Sequence, residues 1–157
     1  MTEKEKHPVN FADCYVLTNQ RSQTFIHAFL ERFVPRRQEY TYVYEIPQFA
    51  DNPDILFQAD EQLIAYLEQH PNEVHAIYWS NQEEALLRGA MCLFTSDGQI
   101  IAGLYCETRY PDTRIETGFL KELMTFCNST TGLILYEEPA PRDTAAFLKR
   151  IQEQKPL

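Results

Sequence analysis

Glycine is scarce in this chain, five among 157 residues, and the four cysteines form no C-x-x-C pair. So few glycines, with aromatics at 13 %, exclude a collagen-like repeat, a low-complexity linker or a disordered segment. No run approaches the ~18 consecutive apolar residues that a membrane-spanning helix needs. Residues 1–10 alternate Lys and Glu and lack the apolar core of a secretory signal. Cys14, Cys92, Cys106 and Cys127 each fall within an apolar element, which reads as reduced core thiols and predicts a cytoplasmic protein. No Gly-rich phosphate loop occurs, and no two histidines stand at ligand spacing, so neither a cofactor nor a metal is expected.

Basic residues are missing from one stretch altogether. Between Gln38 and Leu87 there is no Lys or Arg, while ten carboxylates lie between Glu39 and Glu84. The whole chain carries −9, so this segment holds all of the imbalance. Such a field repels nucleic acid, whose phosphates need clustered Lys and Arg, and attracts cationic partners.

What is present reads as one domain over 11–157 behind a loose tail of residues 1–10, with no linker dividing it. Asp13–Thr18 is a short buried strand. A helix follows to Val34, with Phe25, Ile26, Phe29, Leu30 and Phe33 at helical spacing and Pro35 behind it. Tyr40–Ile46 alternates and is aromatic-rich, as a strand does. Pro47–Ala59 is a long connection carrying Phe49, Ile55, Leu56 and Phe57. A helix over Asp60–Gln69 and a strand over Val74–Ser80 come next.

Arg88–Thr95 and Gln99–Glu107 form a hairpin turned at Ser96-Asp97-Gly98. Thr113–Asn128 is a helix, Gly132–Glu138 a strand, and Asp143 caps a last helix to about Gln152. The fold class is therefore α+β: a mixed sheet of about six strands, a central β-hairpin and four helices packed on it. Should the first two strands be parallel neighbours, their helix makes a right-handed crossover.

Three candidate sites follow. The first is a surface: Tyr40, Tyr42 and Tyr44 occupy alternate positions and project from one strand face, at the edge of a region bearing Glu45, Asp51 and Asp54. Aromatic anchors ringed by carboxylates suit a basic protein partner, in the manner of an immunity or antitoxin-like factor that masks it. Homodimerisation through an exposed strand is a companion expectation. The alternative is a rim of strand-to-helix loops where Arg21, Arg109, Arg114, Glu137 and Glu138 would converge on a small molecule or serve a hydrolase. The third candidate is the pair Cys106 and His75, the best placed for nucleophilic catalysis, against which stands a half-buried structural histidine.

Overall fold

In a computed structural model, residues 10–154 are described. Eight strands and four helices alternate along them: β1 (Asn10–Thr18), α1 (Gln23–Phe33), β2 (Arg37–Glu39), β3 (Tyr44–Ile46), β4 (Ile55–Phe57), α2 (Asp60–Gln69), β5 (His75–Asn81), β6 (Leu87–Phe94), β7 (Ile100–Thr108), α3 (Arg114–Cys127), β8 (Gly132–Leu135) and α4 (Thr144–Gln154). The expected tail falls outside the described residues except for Asn10, which already belongs to β1.

Six strands pair in the order β2-β5-β6-β7-β1-β8, and β3 with β4 makes a separate two-stranded sheet. The α+β class stands, but the sheet is not mixed: every pairing is antiparallel. Nor is β1 beside β2. It lies between β7 and β8, while α1 carries the chain across the sheet to the opposite edge, where β2 joins β5. No parallel crossover arises, since β5, β6 and β7 meander and recruit β1 antiparallel to β7.

Both faces of the sheet are covered, which explains why its central strands read as nearly continuous apolar runs. On the inner face, Ala12, Cys14 and Val16 of β1 join Ala102, Leu104 and Cys106 of β7, beneath Ile26 and Phe29 of α1, Leu63 and Leu67 of α2 and Leu123 of α3. On the outer face, Tyr15, Leu17, Met91, Leu93, Ile101, Leu133 and Leu135 collect around Phe147 of α4. A side chain at Gly103 would bring its Cβ to 2.7 Å from Met91 Cγ and 2.9 Å from Tyr15 Cδ1, so its absence lets these two residues close over the sheet. All four cysteines are buried and free, as expected of core thiols. Burial pushes the Cys127 thiol up to about 12, which keeps it protonated and inert. Among the described residues no helix is long and apolar enough to cross a membrane.

Candidate protein-interaction site

The acidic stretch begins at one edge of the large sheet, and the strand expected over Tyr40–Ile46 is broken there. Thr41 Oγ1 donates to the Val43 carbonyl at 3.0 Å and accepts from the Val43 N–H at 3.4 Å. A hydroxyl bonding its own neighbouring backbone competes with ladder formation, so the chain turns between β2 and β3. The turn separates the three tyrosines. Tyr40 and Tyr42 stand out, 66 % and 85 % exposed, whereas Tyr44 is 3 % exposed in the core. The single stripe expected from alternation is therefore corrected: Tyr44 faces inward and its hydroxyl donates to Glu39 Oε1 at 2.6 Å. Burial, and then that carboxylate, raise the Tyr44 phenol well above its usual range.

The connection after β3 is better ordered than its length suggests. Asp54 N–H donates to the Ile46 carbonyl at 2.7 Å, and β4 then pairs back on β3 with Tyr44 opposite Phe57. Gln48 docks the loop on the sheet: its side-chain oxygen accepts from Ala76 N–H at 2.8 Å and its amide donates to the Ala76 carbonyl at 3.1 Å. The three-residue β2 leaves this part of the β5 edge unpaired, and the amide of Gln48 occupies it in place of a strand.

The next residue, Phe49, has φ 65° and is 79 % exposed. A bulky side chain in the left-handed region is strained, so this ring is held outward at a cost of about 1–3 kcal/mol. Phe49, Tyr40, Val43 and Tyr78 border a concavity of about 230 Å³ whose wall includes Glu45. Tyr40 and Tyr78 lie 6.2 Å apart between ring centroids, and Asp51 and Asp54, both exposed, follow Phe49 in the loop. An isolated exposed aromatic is ordinary; Tyr40, Phe49 and Tyr78 line one concavity beside Glu45, with the exposed Tyr42 in the turn next to it.

The loop rim does not assemble into one site. In the register of β1 against β7, Thr18 faces Ile100 and Asn10 faces Thr108, so Arg21 lies beyond one end of the sheet and Arg109 beyond the other. Arg21 is 7 % exposed and donates to five carbonyls, those of Leu67, His70, Glu73, Thr95 and Gln99, at 2.7–3.2 Å. Its guanidinium also stands 5.0 Å from the Phe94 ring centroid. It fastens the C-terminus of α2 to the β6–β7 turn and leaves no donor for a ligand. Burial lowers its pKa, with Asp97 and Glu73 partly offsetting the effect.

At the far end the charges neutralise one another. Arg109 reaches Glu107 at 3.8 Å, Arg114 pairs with Asp112 at 2.6 Å, and Glu138 pairs with Arg150 at 3.1 Å. Glu137 is exposed with φ 55°.

The pairing of Cys106 with His75 fails for the same topological reason. Cys106 stands opposite Leu87 and His75 opposite Phe94, so they lie at opposite ends of β6, on either side of it. His75 is buried, with Nε2 at 3.1 Å from the Glu45 carbonyl and Nδ1 at 3.1 Å from that of Ala76. Desolvation lowers its pKa, favouring the neutral ring, and its role is to tie β3 to β5.

Sequence reasoning passed over Glu116, in the first turn of α3, which is fully buried. Thr108 Oγ1 donates to it at 2.7 Å and Tyr136 Oη at 2.5 Å, while its own backbone carbonyl lies 3.3 Å from Cys14 Sγ. The helix start favours a negative charge there. A glutamate three residues after Thr113 has the spacing of a capping box, but the Thr113 side chain makes no cap bond and the carboxylate is buried in the core.

A second concavity, about 360 Å³, lies between α1 and α2 and is lined by Gln23, His27, Arg37, Asp60 and Glu61. Asp60 accepts from the buried Trp79 Nε1 at 2.7 Å, so one of its oxygens is committed to the fold. Among the described residues no cluster of His, Cys, Asp and Glu could hold a metal ion. No family model, curated protein or solved structure matches this chain.

Proposed function

We propose that this chain is a binding protein that docks a basic segment of another protein on the edge formed by Tyr40, Tyr42, Phe49 and Tyr78, with Glu45, Asp51 and Asp54 supplying the opposite charge. The observation that carries this reading is Phe49. Its ring is exposed at an unfavourable φ by a loop that Gln48 anchors, and backbone strain of this kind persists at ligand clamps because the surroundings enforce it. Aromatic anchors contribute most of the energy at such surfaces, and surrounding carboxylates steer and select a cationic partner. The lack of any Lys or Arg from Gln38 to Leu87 means that no charge within this segment opposes a basic partner. The immunity-like role is the form this takes when the partner is a basic toxin or effector that must be masked.

Affinity for defined Lys/Arg-rich peptides tests the proposal. Micromolar or tighter binding is expected, weakening by about tenfold between roughly 50 and 300 mM salt. The triple substitution Glu45→Lys, Asp51→Lys and Asp54→Lys should abolish it. The charge-matched control Glu61→Lys, Glu83→Lys and Glu84→Lys should retain most of it. Equal losses in both triples would reduce the acidic segment to a solvated face and overturn the reading.

A further inference from the structure

The cover that α4 gives the outer sheet face thins toward one end: among the described residues, Phe11, Asp13 and Tyr105 are partly exposed there. Phe147 and Ile151 of α4 lie over Leu17, Leu93, Ile101 and Leu133, toward the end of the sheet that carries Arg21. Toward the other end runs a row of register partners, Ser80, Gly89, Tyr105, Asp13 and Leu135, on β5, β6, β7, β1 and β8 in turn. Tyr105 and Phe11 stack there with centroids 5.1 Å apart and planes 17° apart. Gly89 is buried, and a Cβ there would come to 2.7 Å from the Trp79 carbonyl oxygen, so the glycine lets β6 pass close to β5 in this row. This face is continuous with the docking edge, because Tyr78 belongs to both and Tyr40 packs against it.

Asp13 sits in the row beside Tyr105. Among the described residues no donor forms a hydrogen bond to its carboxylate and no cation pairs with it. Asp13 interacts with Tyr15 on β1 and Tyr105 on β7, and Tyr105 in turn with Arg88 on β6 and Glu137 beyond β8. Arg88, the one base in that set, is engaged 3.7 Å from Glu107. Burial raises the Tyr105 phenol, and Asp13, Tyr40 and Glu137 add to the effect. A carboxylate set among rings and acids, with its local base already taken, is complementary to a cation brought from outside.

We propose that the basic partner extends from the docking edge onto this half of the outer face and seats a lysine or arginine on Asp13, beside the stacked rings of Phe11 and Tyr105. This inference rests on the docking reading above. It adds a regulatory consequence, because the cation needs Asp13 ionised. Burial pushes Asp13 up to about 6, so the contact is lost on mild acidification, while ordinary exposed carboxylates remain charged at pH 5.

The test measures octa-arginine binding to the full chain at pH 7.5 and pH 5, for the wild type, for Asp13→Asn and for the Glu45, Asp51 and Asp54 triple lysine variant. The wild type should weaken by about tenfold at pH 5. Asp13→Asn should bind about five- to tenfold more weakly at pH 7.5 and show a flat pH profile, with shift changes at Phe11 and Tyr105 greatly reduced in NMR spectra. Binding that ignores Asp13→Asn but fails in the triple variant overturns this inference and leaves the docking edge standing. Binding that follows Asp13 but survives the triple variant overturns the docking edge and with it this inference, as does the absence of wild-type binding. A wild-type dimer that dissociates on Tyr105→Ser would give the face to a second copy and overturn the inference as well.

Discussion

The side chain of Gln48 lies along the main chain of Ala76, accepting its N–H at 2.8 Å and donating to its carbonyl at 3.1 Å. One amide thereby reproduces the pairing of a strand residue at the open edge of β5. It also fixes where the next residue must go. Phe49 emerges from this anchor with φ 65° and its ring in solvent, so a hydrogen-bond pair on the sheet positions an aromatic group off it.

Stability and binding are expected to diverge at Phe49. Glycine adopts a left-handed conformation without steric cost, so Phe49→Gly should raise stability by about 1 kcal/mol once the greater freedom of the unfolded chain is deducted. The same change removes the central anchor and should weaken a basic peptide by about tenfold or more. Chemical denaturation and titration calorimetry on one pair of proteins read both effects.

Arg21 should behave as a structural residue. Arg21→Met removes one donor from each of five carbonyls, of which those of Leu67, His70 and Gln99 keep a backbone N–H, and should cost about 3–5 kcal/mol, lowering the melting temperature by roughly 6–15 °C. Peptide affinity measured well below the transition should stay unchanged, which separates this residue from the docking surface.

The buried Glu116 network should be non-additive. Glu116→Ala strands the Thr108 and Tyr136 hydroxyls and is expected to cost about 2–4 kcal/mol. Tyr136→Phe removes one of those hydroxyls, so the double variant should lose clearly less than the sum of the two single changes. Urea denaturation of the four proteins of the cycle measures the coupling.

Asp13 and His75 give stability opposite pH dependences. The folded chain keeps the Asp13 proton up to about pH 6, whereas an ordinary aspartate loses it near 3.8. Its protonation therefore favours folding: the contribution is complete below about 4 and disappears as the pH rises through 6. Burial lowers the pKa of His75, so its contribution is present above 6.5 and is lost as the pH falls below that value. Asp13→Asn should remove the first dependence and leave the second, as followed by thermal unfolding across pH 4–8 against the wild type.

Elements whose determinants are local were legible in the sequence. The β6–β7 hairpin announces itself through Asp97-Gly98, with Gly98 at φ 83°, and α1 through phenylalanines at helical spacing. The break after Tyr40 was not legible, because a single Thr41 hydroxyl outcompetes seven residues of alternation. Arg21 was misplaced for a different reason. Its carbonyl partners lie 46 to 78 residues away, and only the closed fold brings them together. The antiparallel register likewise sends Arg21 and Arg109 to opposite ends, which no loop-by-loop reading could decide. The candidate surface was legible in its charge and in Tyr40 and Tyr42, but not in Phe49, whose exposure depends on Gln48 reaching Ala76.

Mapping a bound Lys/Arg-rich peptide by amide and aromatic chemical shifts tests the central claim most directly. Docking on the sheet edge predicts the largest changes at Tyr40, Tyr42, Phe49, Ala76 and Tyr78, with the α1–α2 groove around His27 and Glu61 silent. Changes centred on that groove, with Phe49 unmoved, would contradict it.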